Sequence, residues 1–240
     1  MQLKDALESG FRVTDIFVAD VLVHEGGWTD AEVPPETSVW RVTPPILKAL
    51  ADTTTPQGIV AVVGVPDRSI AGLEDPSLVV VLADVRDPGN AGTLIRSAAA
   101  AGADAIVFPR GSVDPFAPKT VRAAAGALFK IPVIRGVQAL EAVQLLKQRG
   151  LVAVAAVARG GASPYEIDLA RPLALVLGNE AWGLPVELRS QIDETATIPM
   201  PGATESLNVG IAGSIILFEA VRQRAPRTSR GRALSSPNNG

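Results

Sequence analysis

The chain of 240 residues is predicted to be an α/β protein built on a parallel sheet covered on both faces. Three observations predict that class. From Leu78 onward, short apolar runs alternate with helical segments, the pattern of repeated strand–helix–strand units. The runs Leu78–Ala83, Ala105–Phe108, Leu151–Val157 and Leu173–Leu177 are apolar throughout rather than at every second position, as strands buried on both faces must be. Four segments beyond strand ends, Asp84–Arg96, Val157–Ser163, Gly178–Pro185 and Pro199–Asn208, are rich in glycine or small polar residues. Open parallel sheets bind their ligands at such ends, and small residues let a ligand approach the backbone closely.

Each element follows from its local pattern. Gln2 to Ser9 reads as a helix and Asp15–Val21 as a strand. Prolines 34, 35, 44 and 45 interrupt the next stretch; Leu47–Ala51 reads as a short helix, which Thr53, Thr54, Thr55 and Pro56 break. Gly58–Val65 is a β-branched run long enough for one buried strand. Pro66–Pro76 is polar, turn-rich and acidic, and is the expected linker. The strand Leu78–Ala83 leads through the turn Pro88–Gly89–Asn90 into a small-residue helix, Ala91–Ala101, stopped by Gly102. After the strand Ala105–Phe108 come a loop with three prolines, a helix from Lys119 to Leu128 and the strand-like Pro132–Ile134. Apolar residues at 137, 140, 143, 145 and 146 mark a helix over Val137–Arg149, with Gly150 as its stop. Leu151–Val157, Leu173–Leu177 and Thr195–Ile198 are the remaining strands, and a helix runs from about Leu207 to Arg224. The expected plan is a small α/β domain over 1–65, a linker over 66–76, an α/β domain over 77–224 and a polar, disordered tail over 225–240.

Composition removes several classes of function. Apolar residues are 47% and charged residues 20%, which excludes bulk disorder. There is no cysteine, so disulfides, thiolate nucleophiles and thiolate metal sites are all excluded. The one histidine, His24, is expected to be solvated or capping, with no metal role. Aromatic residues are 4%, too few for an aromatic RNA-stacking sheet. No run reaches the roughly 18 apolar residues that span a bilayer, and a soluble, cytoplasmic protein is expected.

The net charge of −3 conceals a segmental pattern. Residues 1–80 carry 5 Lys/Arg against 12 Asp/Glu; residues 86–135 carry 7 (Arg86, Arg96, Arg110, Lys119, Arg122, Lys130 and Arg135) against 3; the last twenty hold five arginines and no acid. Phosphate contacts need local basic patches rather than a basic total, so the 86–135 segment is expected to meet a structured RNA. The common nucleotide signatures are missing: no G-x-G-x-x-G follows a strand, and neither G-x-x-x-x-G-K-[ST] nor G-x-S-x-G occurs.

Within the loops, individual side chains stand out. Arg96 follows Asn90 by six residues, among the apolar Leu94, Ile95 and Ala98–Ala101; its helix is expected to be substantially buried, where a cation wants an anionic partner. Glu180 lies between Gly178 and Gly183 after a buried strand, which favours an organising role over a solvated one. Ser206 and Asn208 read as a helix N-cap. Trp182 is expected to serve packing or a dimer contact.

Taken together, D-V-R-D-P-G-N-A-G-T-L-I-R-S-A (84–98), L-V-L-G-N-E-A-W-G-L-P (175–185) and I-P-M-P-G-A-T-E-S-L-N-V-G-I-A (198–212) resemble, in order and spacing, the three motifs of the SpoU family. These are S-adenosylmethionine-dependent RNA ribose 2′-O-methyltransferases of the SPOUT class, and the resemblance covers about 78–224. It implies a parallel-sheet SPOUT domain with a C-terminal trefoil knot and homodimerisation through the first and last helices of that domain; from the absence of cysteine and the single histidine, no metal is expected. P-P-I-L-K-A-L-A-D-T-T-T-P-Q-G-I-V-A-V-V (44–63) looks like the end of the small L30e-like RNA-binding domain that often precedes it. That domain usually opens with a strand and an E-G-x-x-x-V-x-E-A-L stretch; here the chain begins inside the corresponding helix, at Lys4–Leu7.

The resemblance makes Arg96 the catalytic arginine, Asn90 its motif partner, and Glu180, Ser206 and Asn208 the remaining site side chains. Gly178, Ile198, Met200 and Leu207 match positions whose backbone holds the adenine and ribose of S-adenosylmethionine, and Ala155 closes that pocket. A guanidinium stays protonated, so Arg96 is expected to grip the phosphate beside the target ribose and ease ionisation of its 2′-hydroxyl. The proton acceptor is that phosphate or a transiently neutral Arg96. The expected partner is RNA, ribosomal rather than transfer, with no membrane. Two rivals stay open: a non-catalytic RNA-binding or assembly factor with the same fold, and a SPOUT enzyme that methylates a base.

Overall fold

Two sheets divide the strands of the computed structural model, which describes residues 2–24, 33–51, 53, 55–203 and 205–225. The first sheet has the order β2-β1-β3, from β1 (Val13–Ala19), β2 (Ser38–Val42) and β3 (Ile59–Val63). Here β2 runs parallel and β3 antiparallel to β1. Three short helices accompany it, α1 (Gln2–Glu8), α2 (Asp20–His24) and α3 (Pro44–Leu50). Its small core joins Ala6 of α1 to Val13 and Ile16, with Leu3, Leu7, Phe11 and Phe129 packed around them.

The second sheet is wholly parallel, in the order β6-β5-β4-β8-β7-β9. Its strands are β4 (Leu78–Leu82), β5 (Ala105–Phe108), β6 (Val133–Arg135), β7 (Val152–Ala156), β8 (Leu173–Leu177) and β9 (Glu194–Ala196). The helices are α4 (Pro88–Ala100), α5 (Pro118–Ala124), α6 (Ala139–Gln148), α7 (Val186–Arg189) and α8 (Val209–Arg224). Alternate residues of β4 feed two separate cores. Leu78, Val80 and Leu82 face Leu94 and Ile95 of α4, Ala124 of α5 and Ile216 and Leu217 of α8. Val79, Val81 and Ala83 face Ala142, Val143 and Leu146 of α6 and Leu188 of α7. That double coverage is why β4, β5, β7 and β8 carry no polar residue, whereas the edge strands β6 and β9 do. The chain winds outward from β4 to β6 and returns on the far side, so β4 and β8 lie together where the winding reverses. The ligand crevice of such a sheet opens at that reversal.

Glycine allows the close approach of helices here. A Cβ on Gly92 would stand 2.3 Å from Ala123 Cβ of α5, and one on Gly213 would stand 2.5 Å from Leu94; α8 therefore lies flush on α4 and β8. Among the described residues no helix is long and apolar enough to cross a membrane.

Several elements differ from the sequence expectation. The strand read over Asp15–Val21 is Val13–Ala19, and the chain turns into α2 from Asp20. The edge strand β2 arises in the proline-bounded stretch that carried no strand pattern. The helix expected to reach Leu128 ends at Ala124, because Ala125 and Gly126 adopt left-handed φ of 48° and 85°; a 3₁₀ turn, Ala127–Phe129, follows. The short α7 was not foreseen, and the last helix starts at Val209 rather than Leu207. Within 66–76, Ile70 is buried, and Arg149 donates to the carbonyl of Ala71 at 3.2 Å. The tail over 226–240 and the His24 side chain lie outside the described residues.

Candidate functional site

Loops after three parallel strands converge at the reversal, and hydrogen bonds of one polarity tie them together. Asn208, the N-cap of α8, accepts at Oδ1 from the backbone N–H of Gly210 at 2.8 Å and of Ile211 at 3.3 Å. A backbone N–H only donates, so the Asn208 oxygen is committed and its Nδ2 must serve as donor. It donates to Asn90 Oδ1 at 2.7 Å. That leaves Asn90 its own Nδ2, which donates to Glu180 Oε1, and the carboxylate ends the relay as an acceptor. The helix N-terminus thus orients two amides and one carboxylate drawn from the first turn of α4 and from the loops after β8 and β9. Asn90 is held from behind: Asp87, N-cap of α4, accepts its backbone N–H at 2.8 Å.

The turn carrying Glu180 is equally constrained. The Asn179 and Gly183 backbones exchange hydrogen bonds of 3.0 and 2.9 Å, and Asn179 Oδ1 accepts from Ala181 N–H at 2.9 Å. A Cβ on Gly178 would stand 2.7 Å from the Gly183 carbonyl, so no larger residue fits there without opening the turn. Asp84, at the end of β4, is the second anchor. Its left-handed backbone, φ 67°, is uncommon outside glycine. Its carbonyl accepts from Asn179 Nδ2 at 3.0 Å, and its carboxylate accepts from Arg86 Nε at 2.7 Å and Trp182 Nε1 at 2.9 Å.

The residues expected to line a cofactor pocket lie around this framework. Ala155 is buried near the end of β7, Gly178 is buried after β8, and Ile198, Met200 and Leu207 are half-buried along the segment from β9 to α8. Among the described residues of 198–208, no backbone N–H donates to another backbone carbonyl. An adenine edge and ribose hydroxyls need such a strip of free donors and acceptors, so the residues present fit the adenosyl group.

The expected catalytic set divides into two parts. Asn90, Glu180 and Asn208 form the relay. Ser206 is exposed, and among the described residues it makes no hydrogen bond; Asn208 alone provides the side-chain cap of α8. Arg96 corrects the expectation of a buried cation with an anionic partner. Only one side of α4 is buried, at Ala91, Gly92, Leu94, Ile95 and Ala98. Arg96 emerges on the exposed side, where it lines an open cavity of about 430 Å³ with Thr93, Ser97, Ala100 and Phe218. Of the two roles expected of Trp182, packing or a dimer contact, packing within the chain gives way: the side chain is 60% exposed and fixed by its indole N–H. Asp84 and Asn179 were missed as anchors, although both lie inside the quoted motifs. A left-handed aspartate leaves no mark in sequence, so only its position directly after a buried strand could have drawn notice.

Comparison with known proteins agrees with this framework. Residues 77–218 match the SpoU rRNA Methylase family. The chain is 34% identical over 201 residues to the 23S rRNA (guanosine(2553)-2'-O)-methyltransferase RlmP of Bacillus subtilis, covering 84% of this chain and 79% of that protein. It is 35% identical over 185 residues to the 23S rRNA (guanosine-2'-O-)-methyltransferase RlmB of Ralstonia nicotianae, covering 75% and 74%. Among solved structures it resembles the SpoU methyltransferase AviRb of Streptomyces viridochromogenes in complex with AdoMet, with a TM-score of 0.83, 29% identity and coverage of 93% and 87%. An AdoMet-bound rRNA methyltransferase of Sinorhizobium meliloti superposes with a TM-score of 0.80 at 32% identity, over 94% and 85%. The chain belongs to the SpoU rRNA methylase family, enzymes that carry a methyl group from S-adenosylmethionine to a ribose 2′-hydroxyl.

Proposed function

We propose that this protein methylates the 2′-hydroxyl of a guanosine in large-subunit ribosomal RNA, working as a cytoplasmic homodimer. The observation that carries the reading is the relay from α8 through Asn208 and Asn90 to Glu180, which joins all three motif loops in a chain of a family with this activity. The names of the relatives support ribosomal RNA and guanosine.

In this reading Gly178, Ile198, Met200 and Leu207 hold the adenosyl group through their backbones, and Ala155 closes the pocket. Bound there, S-adenosylmethionine supplies an electrophilic sulfonium methyl. Arg96 grips the phosphate beside the target ribose, and its charge favours the oxyanion at the 2′-oxygen as the proton leaves for that phosphate. Asn90, Glu180, Ser206 and Asn208 surround the hydroxyl and fix its direction of attack, so positioning supplies most of the rate. Residues 1–65 form an L30e-like RNA-binding domain, 77–224 the methyltransferase domain, and 66–76 a connection that packs on the latter through Ile70 and Arg149.

Two structural features support the dimer and the knot. The exposed Ile211 and Phe218 of α8 lie in one helix pair with Arg96 and Ala100 of α4, an apolar strip with a cation in it that a second copy would cover. The segment after β9 returns from the sheet edge to lay α8 across the central β8 and α4, a return that a C-terminal knot would share.

Transfer of tritiated methyl from S-adenosylmethionine to bacterial ribosomal RNA tests the reading. The unaltered protein should label one linkage and make it resistant to alkaline cleavage. Arg96→Ala should lower the rate roughly 100- to 1000-fold, the loss typical of one transition-state donor. Label found on a base, or an undiminished Arg96→Ala, would contradict it.

A further inference from the structure

We propose that Trp182 and Arg86 form a lip that stacks one nucleobase and clasps one phosphate of the RNA strand next to the target ribose. The inference rests on the RNA reading above and deepens it. An indole 60% exposed leaves a large apolar surface in water, yet this one does not swing freely. Its Nε1 is tied to Asp84, and Asp84 is itself fixed through its carbonyl by Asn179 and through its N–H, which donates to Ser112 Oγ at 3.1 Å.

Arg86 completes the lip. Its guanidinium carbon lies 5.5 Å from the centre of the indole ring, within cation–π range. Among the described residues only its Nε makes a hydrogen bond, to Asp84 Oδ1, which leaves the terminal amino groups for a phosphate. A fixed aromatic face with a partly free guanidinium beside it is the combination by which single strands are held, the base by stacking and the backbone by charge.

Location selects RNA over a second copy of this chain. Trp182 belongs to the Asn179–Gly183 turn that also carries Glu180, so a base on the lip lies close to the relay. Asp84 also lines, with Arg110 and Glu187, a cleft of about 430 Å³ whose wall is part charged and part apolar, at Ala139, Leu140 and Pro185. That cleft opens beside α6 and α7, whereas the apolar strip of α4 and α8 lies across the sheet, on its opposite face.

The test needs two readouts. In the full chain with Trp28→Phe and Trp40→Phe, Trp182 is the one remaining indole, and titration with a short oligoadenylate should quench its emission. Trp182→Ala should raise the KM for ribosomal RNA about 5- to 100-fold, the range for losing one stacked base. Affinity for S-adenosylmethionine, measured by calorimetry, and mass in solution, measured by sedimentation, should both stay unchanged. Trp182→Phe, which keeps an aromatic face but lacks the N–H to Asp84, should restore part of the loss, and Arg86→Ala should flatten the salt dependence of RNA binding. A fall in mass would make Trp182 a contact between copies, weakened cofactor binding would make it a prop of the turn, and an unchanged KM would leave it no role; each result overturns the lip. An unaltered protein that methylates no RNA would overturn the RNA reading together with it.

Discussion

The two sheets are built on opposite economies of burial. In the six-stranded sheet every residue of β4 and of β8 is buried, and two cores sandwich the strands. In the three-stranded sheet α1 covers one face, while Trp40 and Val62 stay about half exposed on the other. The pair Phe17 and Trp40 stacks there at 6.5 Å, a cross-strand contact that partly replaces a covering helix. Contacts between the two parts include Phe11 edge-on to Phe129 at 5.0 Å and Lys130 paired with Asp5 at 2.8 Å. The large sheet therefore holds the two larger cores and the relay, and the small one is fastened to it lightly.

The strongest challenge to that division is a cavity beneath the site. Leu175→Ala, at a position with no exposure, should cost about 2–5 kcal/mol in urea unfolding and abolish S-adenosylmethionine binding by calorimetry. Ile16→Ala, equally buried in the small sheet, should cost about 2–4 kcal/mol locally but leave cofactor affinity intact. Loss of cofactor binding in the second variant would show one cooperative unit rather than two.

Acid should act next. Burial pushes the Asp193 carboxyl up, but the Lys147 ammonium and the Ala153 N–H outweigh it and hold it below the usual range. The Arg222 fork, opposed by burial and aided by Gln223, likewise lowers Glu219. Both carboxyls bind protons more weakly folded than unfolded, so their contribution is full above the ordinary carboxylate range and disappears as pH falls through and below it. Both groups belong to the large sheet and its helices. Thermal melts at falling pH should therefore lower its transition, with a shallower fall in Asp193→Asn, which starts lower at neutral pH.

Smaller effects sharpen the picture. Asn208→Ala removes the cap of α8 and should cost about 1 kcal/mol while weakening cofactor binding, since the relay loses its source. At the junction, a double-mutant cycle on Phe11 and Phe129 should return a coupling of about 0.5–1.5 kcal/mol. A value near zero would leave the two sheets without an aromatic link.

The same contrast explains what could be read in advance. β4, β5 and β8 were placed within a residue because uninterrupted apolar runs have few other uses. β2 was invisible: its Ser38, Trp40 and Arg41 are exposed, and the prolines around it masked a strand held mainly by pairing with β1. The resemblance singled out Asn90, Glu180 and Asn208, but not their order of donation, which depends on a helix end that sequence only suggests. Arg96 was assigned to a buried helix because composition reports how apolar a helix is, not which side a given residue takes. Asp84 went unread because its importance lies in a backbone angle.

The relay has one more property. Carboxamides neither gain nor lose a proton across the range in which RNA is stable, and backbone amides behave alike. The spine joining the three loops is therefore insensitive to acidity up to its final carboxylate, and in the reaction proposed above it would stay in register while the ribose hydroxyl surrenders a proton.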